Sequence, residues 1–286
     1  MKTLLFSTDF SDNAKHAAEY GYSLAKQIKA NIVLCNAVTV PAEMPQAGVV
    51  VWPMEESEVL LDDSTNELQR LKAHLEQNDH SISFRPAVSY ANGAGTLTDV
   101  IEHITANRQV DLVVMGTHAS DSLSTFLLGD HSKKMIDSTT QPLLLIPPEA
   151  AFAPIKKIAF ATDFKQLEVD MAAIYTLIPI ARALNAEILL TNVYDEKNHS
   201  HEFQHLINSF LLELSNKADY PHIYYRLIKN GRTETGLDWL CEHGHVDILA
   251  MVHHSHNFLY NILAGSYTKK MADHIPIPLL VFPAQS

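Results

Sequence analysis

A doubly wound α/β fold, present twice in tandem, is what this chain predicts, and three observations predict it. The sequence repeats itself in order and at nearly constant spacing. Short apolar runs of about five residues alternate with stretches of helical periodicity. Each copy closes on a Pro-Leu-Leu run, Pro142 to Pro147 and Pro278 to Pro283.

The repeat is legible residue by residue. Lys2-Thr-Leu-Leu-Phe-Ser-Thr-Asp9-Phe-Ser returns as Lys156-Lys-Ile-Ala-Phe-Ala-Thr-Asp163-Phe-Lys, and Ile32–Val38 returns as Ile188–Tyr194. Val110-Asp-Leu-Val-Val-Met-Gly116 returns as Val246-Asp-Ile-Leu-Ala-Met-Val252. Gly129 with Lys133-Lys134-Met135 returns as Gly265 with Lys269-Lys270-Met271. The boundary falls at Pro147-Pro148-Glu149-Ala150-Ala151, where two prolines stop a strand. The expected domains are 1–149, with an extra loop at 39–58, and 150–286.

In the first copy the apolar runs predict strands at Leu4–Ser7, Ile32–Val38, Ile82–Val88, Leu112–Met115 and Leu143–Ile146. Strands apolar nearly throughout suit a parallel sheet buried on both faces. Helical spacing runs through Ser11–Lys29, Ser64–Gln77, Leu97–Ala106 and Asp130–Asp137, with Leu68, Leu71 and Leu75 forming one stripe. Ser64, Thr98 and Asp130 are the expected N-caps. Five strands with four crossover helices make a Rossmann-like five-stranded parallel sheet with helices on both faces, one per copy. Ligands bind such sheets in the crevice at the carboxyl ends of the strands, where strand order reverses.

Composition narrows the function classes. The chain has 286 residues, 47% of them hydrophobic and 19% charged, as an ordinary globular protein has. A net charge of −12 argues against nucleic-acid binding, because no Lys/Arg run exceeds Lys156-Lys157. Cys35 and Cys241 fit no metal or redox spacing and read as reduced, buried thiols. The N-terminus reads as no secretory signal, and no apolar stretch reaches the length of a membrane span. A soluble, cytoplasmic protein that contacts no membrane is expected.

The chemistry is expected after strands one and four. Asp9 and Asp163 sit in the first strand-to-helix turn, where a carboxylate accepts hydrogen bonds from an adenine amine or a ribose hydroxyl. A helix-capping Asp that needs no ligand is the other reading. After strand four comes Met115-Gly116-Thr117-His118-Ala119, then a loop to Leu128-Gly129-Asp130. Here both copies, along essentially their full length, resemble the universal stress protein family. Thr-Asp-Phe and Met-Gly-Thr-His are the most characteristic segments. The resemblance implies an adenine-nucleotide alpha hydrolase-like fold and a phosphate loop of Gly, two residues, Gly, nine residues, then Gly-Ser or Gly-Thr. Glycines let backbone approach phosphate, and the following helix offers free N–H groups.

Neither copy keeps the whole loop. The first has Gly116 and Gly129, but Ala119 and Asp130 where a glycine and a hydroxyl residue belong. The Asp130 carboxylate would cap the helix and repel phosphate. The second keeps Gly265-Ser266 but has Val252 and Ser255 for its first two glycines. The resemblance implies that such degraded motifs work against ATP binding. An ATP or AMP site in the first copy would use Asp9, Val38, Gly116, Thr117 and Gly129. One in the second would use Asp163, Val193, Gly265 and Ser266.

Two other features invite chemistry. His199, His201, His205, His253, His254 and His256 cluster in the second copy, with His201 and His205 at a spacing able to hold a metal. No Cys completes a ligand set, so solvent-facing histidines and no metal are expected. No nucleophile elbow, P-loop lysine or paired carboxylates occur, so no catalytic residue is assigned. The expected function is non-enzymatic, a stress-response regulatory binding protein. The alternatives are an ATP/AMP-binding switch with weak or no hydrolysis, and a metal or other small-ligand binder. Protein partners, a homo-oligomer and an intramolecular pseudo-dimer through the two closing strands are the expected associations. In the extra loop, Val49-Val50-Val51-Trp52 is apolar enough that Trp52 is expected to be covered.

Overall fold

The structure is a computed structural model that describes residues 2–39, 54–80, 84–117, 130–194, 200–253 and 277–283. The chain divides into two compact units, Met1–Gly116 and Thr117–Ser286. The repeat boundary read from sequence is a different division, because the last strand of the first copy lies in the second unit.

In the first unit, β1 (Thr3–Ser7), β2 (Asn31–Val38), β3 (Val88–Ala94) and β4 (Leu112–Gly116) follow the order β3-β2-β1-β4. β1 pairs with β2 and β4, and β2 with β3, all parallel. Leu4, Leu5 and Phe6 are at most 1% exposed, so each contributes about 1.5–3 kcal/mol of burial. Helix α1 (Asp12–Ile28) packs on β4 and β1, α2 (Met54–Gln77) on β3 and β2, and α3 (Leu97–Asn107) on β2 and β3.

Three sequence expectations need correction here. The third strand is Val88–Ala94, not Ile82–Val88. Pro86 has no N–H to give a ladder, and β3 lies at the edge of its sheet, so it lacks the apolar run of a central strand. Helix α2 starts at Met54, so Ser64 lies inside it, and residues 54–58 of the expected loop are helical. The helix opens Met-Glu-Glu-Ser-Glu, and the helix dipole favours acidic residues in a first turn. Helix α3 is capped by Thr96, not Thr98. The Thr96 hydroxyl accepts from Asp99 N at 3.3 Å and the Asp99 carboxylate accepts from Thr96 N at 3.3 Å, a reciprocal capping box. Val49-Val50-Val51-Trp52 lies outside the described residues.

In the second unit, α4 (Asp130–Ser138) opens at Asp130, and β5 (Leu143–Ile146) follows it. Then come β6 (Lys157–Ala161), α5 (Leu167–Leu184), β7 (Glu187–Tyr194), α6 (His201–Lys217), β8 (Ile223–Lys229), α7 (Thr233–His243), β9 (Ile248–His253) and β10 (Leu279–Pro283). Their sheet order is β5-β10-β9-β6-β7-β8. Among the described residues these strands pair in parallel except β10 with β5, which is antiparallel with Leu280 opposite Leu144. These are the two closing strands that the repeat leads one to expect to meet.

Candidate nucleotide-type site

In each copy the first strand lies between the second and the fourth: β1 between β2 and β4, β6 between β7 and β9. Strand order therefore reverses beside β1 and beside β6, and the turn that follows each strand borders the crevice.

The two turns are built alike. Thr8 N donates to Cys35 O at 2.9 Å, and Thr162 N donates to Thr191 O at 3.0 Å. The Thr8 hydroxyl accepts from Phe10 N at 2.9 Å, and the Thr162 hydroxyl from Phe164 N at 2.8 Å. Those bonds hold Phe10 at φ 64 and Phe164 at φ 55, left-handed values that a bulky side chain adopts only when its surroundings fix it. Asp9 accepts from Ser11 N at 3.1 Å, and Asp163 from Lys165 N at 3.1 Å. From the second strand, the Asn36 amide donates to Thr8 O at 2.7 Å and the Asn192 amide to Thr162 O at 2.8 Å. Sequence reasoning missed these asparagines. The signal was an Asn inside an apolar strand at the same place in both copies.

The first copy keeps its carboxylate outward. Asp9 is exposed, its Oδ1 taking the Ser11 hydroxyl at 2.6 Å while that hydroxyl accepts from Ala14 N to cap α1. Val38 is buried at the end of β2, in register with Ala94. Gly116 ends β4 where a Cβ would stand 2.9 Å from the Asn13 carbonyl oxygen and 3.3 Å from Ala14 Cα. Close packing of β4 on α1 thus requires glycine there, whatever the ligand. Thr117 is buried, and its N–H donates to Ile146 O at 2.9 Å. Gly129 lies outside the described residues, as do His118 and Ala119.

The second copy is closed at the matching places. The Asp163 carboxylate takes the Lys165 ammonium at 3.0 Å. Phe164 is buried with Phe203 at 6.3 Å, Phe210 at 5.4 Å and Tyr225 at 6.2 Å. The Thr162 hydroxyl donates to Asp170, a carboxylate only 2% exposed. Val252 is buried where the first copy has Gly116. Val193 aligns with Ala37 rather than Val38 and packs so close to α7 that a Cβ on Gly236 would meet it at 2.5 Å. Gly265, Ser266 and Ser255 lie outside the described residues.

The histidines divide. His201 and His205 are exposed on the first turns of α6. His253 corrects the solvent-facing expectation: its side chain is 10% exposed and Nε2 lies 3.1 Å from Asp137 Oδ1. His199, His254 and His256 lie outside the described residues. Among the described residues no group of three or more His, Cys, Asp or Glu is placed to hold a metal. Cys35 and Cys241 are free and buried, and burial pushes each thiol up to about 12. Among the described residues no helix is long and apolar enough to cross a membrane.

A doubly wound α/β domain repeated within one chain, with a Thr-Asp-Phe turn at each reversal of strand order, defines the class of this protein. The model of the universal stress protein family matches residues 1–147, and the chain belongs to that family. It is similar to universal stress protein MJ0531 of Methanocaldococcus jannaschii, at 24% identity over 51% of this chain and 81% of that protein. MJ0577 of the same organism is 25% identical over 51% of this chain and 94% of its own length. A crystal structure of a universal stress protein from Archaeoglobus fulgidus shares the fold with a TM-score of 0.70 at 13% identity, covering 99% of this chain and 98% of that one.

Proposed function

We propose that the protein is a cytoplasmic stress-response regulator that acts by binding, not turnover, and that its first copy takes the ligand, an adenine nucleotide such as ATP or AMP. The observation that carries this reading is the difference between the two turns. Asp9 is exposed beside the strand-order reversal, whereas the matching turn of the second copy is flanked by the buried Phe164 cluster. A carboxylate in the Asp9 position accepts hydrogen bonds from a base amine or ribose hydroxyl, and Val38 supplies apolar surface at the end of the neighbouring strand. Neither thiol offers a nucleophile at neutral pH, since burial holds both protonated. Occupancy is then read by protein partners.

Calorimetry with ATP and AMP on the full chain tests the reading. One site per chain is expected. Asp9→Ala should weaken it about tenfold, the cost of one hydrogen bond to a charged acceptor, and Asp163→Ala should leave it unchanged. No heat with either nucleotide, or loss on Asp163→Ala alone, defeats the proposal.

A further inference from the structure

We infer that β8 is the strand through which two copies of this chain join, antiparallel and edge to edge. β8 pairs with β7 on one side and is the last strand of its sheet among the described residues. Which of its backbone groups face outward follows from the bonds to β7. Ile188 N donates to His222 O at 2.9 Å, and Asn230 N donates to Tyr194 O at 3.0 Å. Alternation along a parallel ladder then turns the even-numbered residues toward β7. The N–H and C=O groups of Ile223, Tyr225, Leu227 and Lys229 face away from it.

An antiparallel self-pairing must set these outward residues against one another about a two-fold axis. Four registers do so near the middle of the strand. Centring on Arg226 sets Arg226 against Arg226 of the partner subunit, a like-charge contact. Centring on Tyr224 sets Arg226 against the partner's His222, and centring on Leu227 sets it against the partner's Ile228, a side chain buried in its own subunit, so neither gains anything. Centring on Tyr225 sets Ile223 against the partner's Leu227 and Tyr224 against the partner's Arg226, each contact made twice. The last register alone makes the strand complementary to itself. Tyr224 is 48% exposed and ready for that contact. The Arg226 guanidinium already lies 5.3 Å from the ring centre of Trp239, itself 41% exposed, so the partner's Tyr224 would meet a cation held in place.

The other copy's edge supplies the contrast. β3 reads Val-Ser-Tyr-Ala-Asn-Gly-Ala, short and polar side chains with a glycine, whereas β8 reads Ile-Tyr-Tyr-Arg-Leu-Ile-Lys. Only the second is rich in the residues that favour strand pairing. A pairing that served the fold alone would not need this difference.

Sedimentation velocity on the full chain across the micromolar range is the test. A concentration-dependent dimer is expected. Leu227→Pro removes an outward N–H without touching the β7 ladder and should leave monomer. Tyr224→Arg sets Arg against Arg twice and should weaken the dimer about tenfold, while the swap Tyr224→Arg with Arg226→Tyr should restore it. Ile223→Cys with Leu227→Cys should oxidise to a cross-linked dimer, since each Cys faces the other across the axis. Both positions of the swap are exposed, so those arms stand even if Leu227→Pro fails to fold. A chain monomeric throughout, a dimer that none of these changes weakens, or a swap no better than Tyr224→Arg overturns the inference.

Discussion

Both copies pair a basic side chain near the end of their first helix with an aspartate just beyond their second, and put the pair to different use. In the first, Lys26 on α1 meets Asp79 at 2.7 Å, with side-chain exposures of 21% and 1%, and the Tyr22 hydroxyl donates to the same carboxylate at 3.2 Å. In the second, Arg182 lies 3.4 Å from Asp219, with exposures of 53% and 99%, and Ile178 stands where Tyr22 does. What recurs unchanged is the work done on backbone. The Asp111 carboxylate takes Thr3 N at 2.7 Å as the Asp247 carboxylate takes Lys157 N at 2.8 Å, and each Asn of the second strand ties down the turn beside it. The repeat therefore preserves the bonds that place the turns and lets side-chain pairs drift with burial.

The largest effect should come from separating the ion pairs. Asp79→Ala takes the carboxylate away from a mostly buried ammonium and from the Tyr22 hydroxyl, a loss of about 3 kcal/mol. Asp219→Ala should leave stability unchanged, because the pair is solvated. Urea denaturation of the two variants decides it, and equal losses would mean that burial is not what separates the copies.

Next comes Gly116. A methyl there would stand 2.9 Å from the Asn13 carbonyl oxygen, with backbone that must move to admit it. Gly116→Ala should cost about 2 kcal/mol by overpacking. Gly231→Ala in the second copy, where a Cβ meets nothing within 4 Å, should be neutral or slightly stabilising. Thermal unfolding of both variants checks the contrast. If Gly116→Ala is as stable as the parent, the glycine answers to a ligand and not to packing.

How much of this was legible in sequence follows from what each residue does. Apolar central strands and the turns after β1 and β6 were readable, because burial on both faces and the Thr-Asp-Phe segment write themselves into local sequence. β3 was not, since an edge strand needs no apolar run and Pro86 interrupts the sequence just before it. Asn36 and Asn192 were visible as repeated letters, but their partners are carbonyls of another strand. Gly116 read as a phosphate glycine because only the fold shows α1 lying against it. His253 read as surface because Asp137, its partner, lies 116 positions earlier in the chain.

Alkaline pH should sharpen the comparison. Burial, and then the neighbouring Asp79 charge, raise the Tyr22 hydroxyl from 10.0 to about 12. The folded state thus holds this proton longer than the unfolded chain does. Its contribution is complete below pH 10 and is lost as pH climbs toward 12. Tyr22→Phe should flatten the fall in stability across that window relative to the parent. Guanidinium midpoints measured from pH 9 to 12 would show it, and parallel curves for the two proteins would place the alkaline loss elsewhere, in the buried thiols or in the second copy.

The smallest effect concerns the asparagines. In the first copy the Ser64 hydroxyl, from inside α2, donates to Asn36 Oδ1 at 2.8 Å. The stripe Leu68, Leu71, Leu75 matches Ile207, Phe210, Leu214, which sets Phe203 at the place of Ser64. Phe203 packs on Phe164 instead, and Asn192 Oδ1 is buried with no hydrogen-bond partner among the described residues. The second copy has thus given up one buried hydrogen bond and gained aromatic packing beside its turn. Ser64→Ala makes the first copy give up the bond without the gain, and should cost about 1 kcal/mol. The change should appear as a lower urea midpoint at unchanged denaturant slope, because the surface exposed on unfolding stays the same. A Ser64→Ala protein as stable as the parent would show that an unmet amide oxygen at this position costs nothing in either copy. The aromatic cluster of the second copy would then need a reason other than compensation.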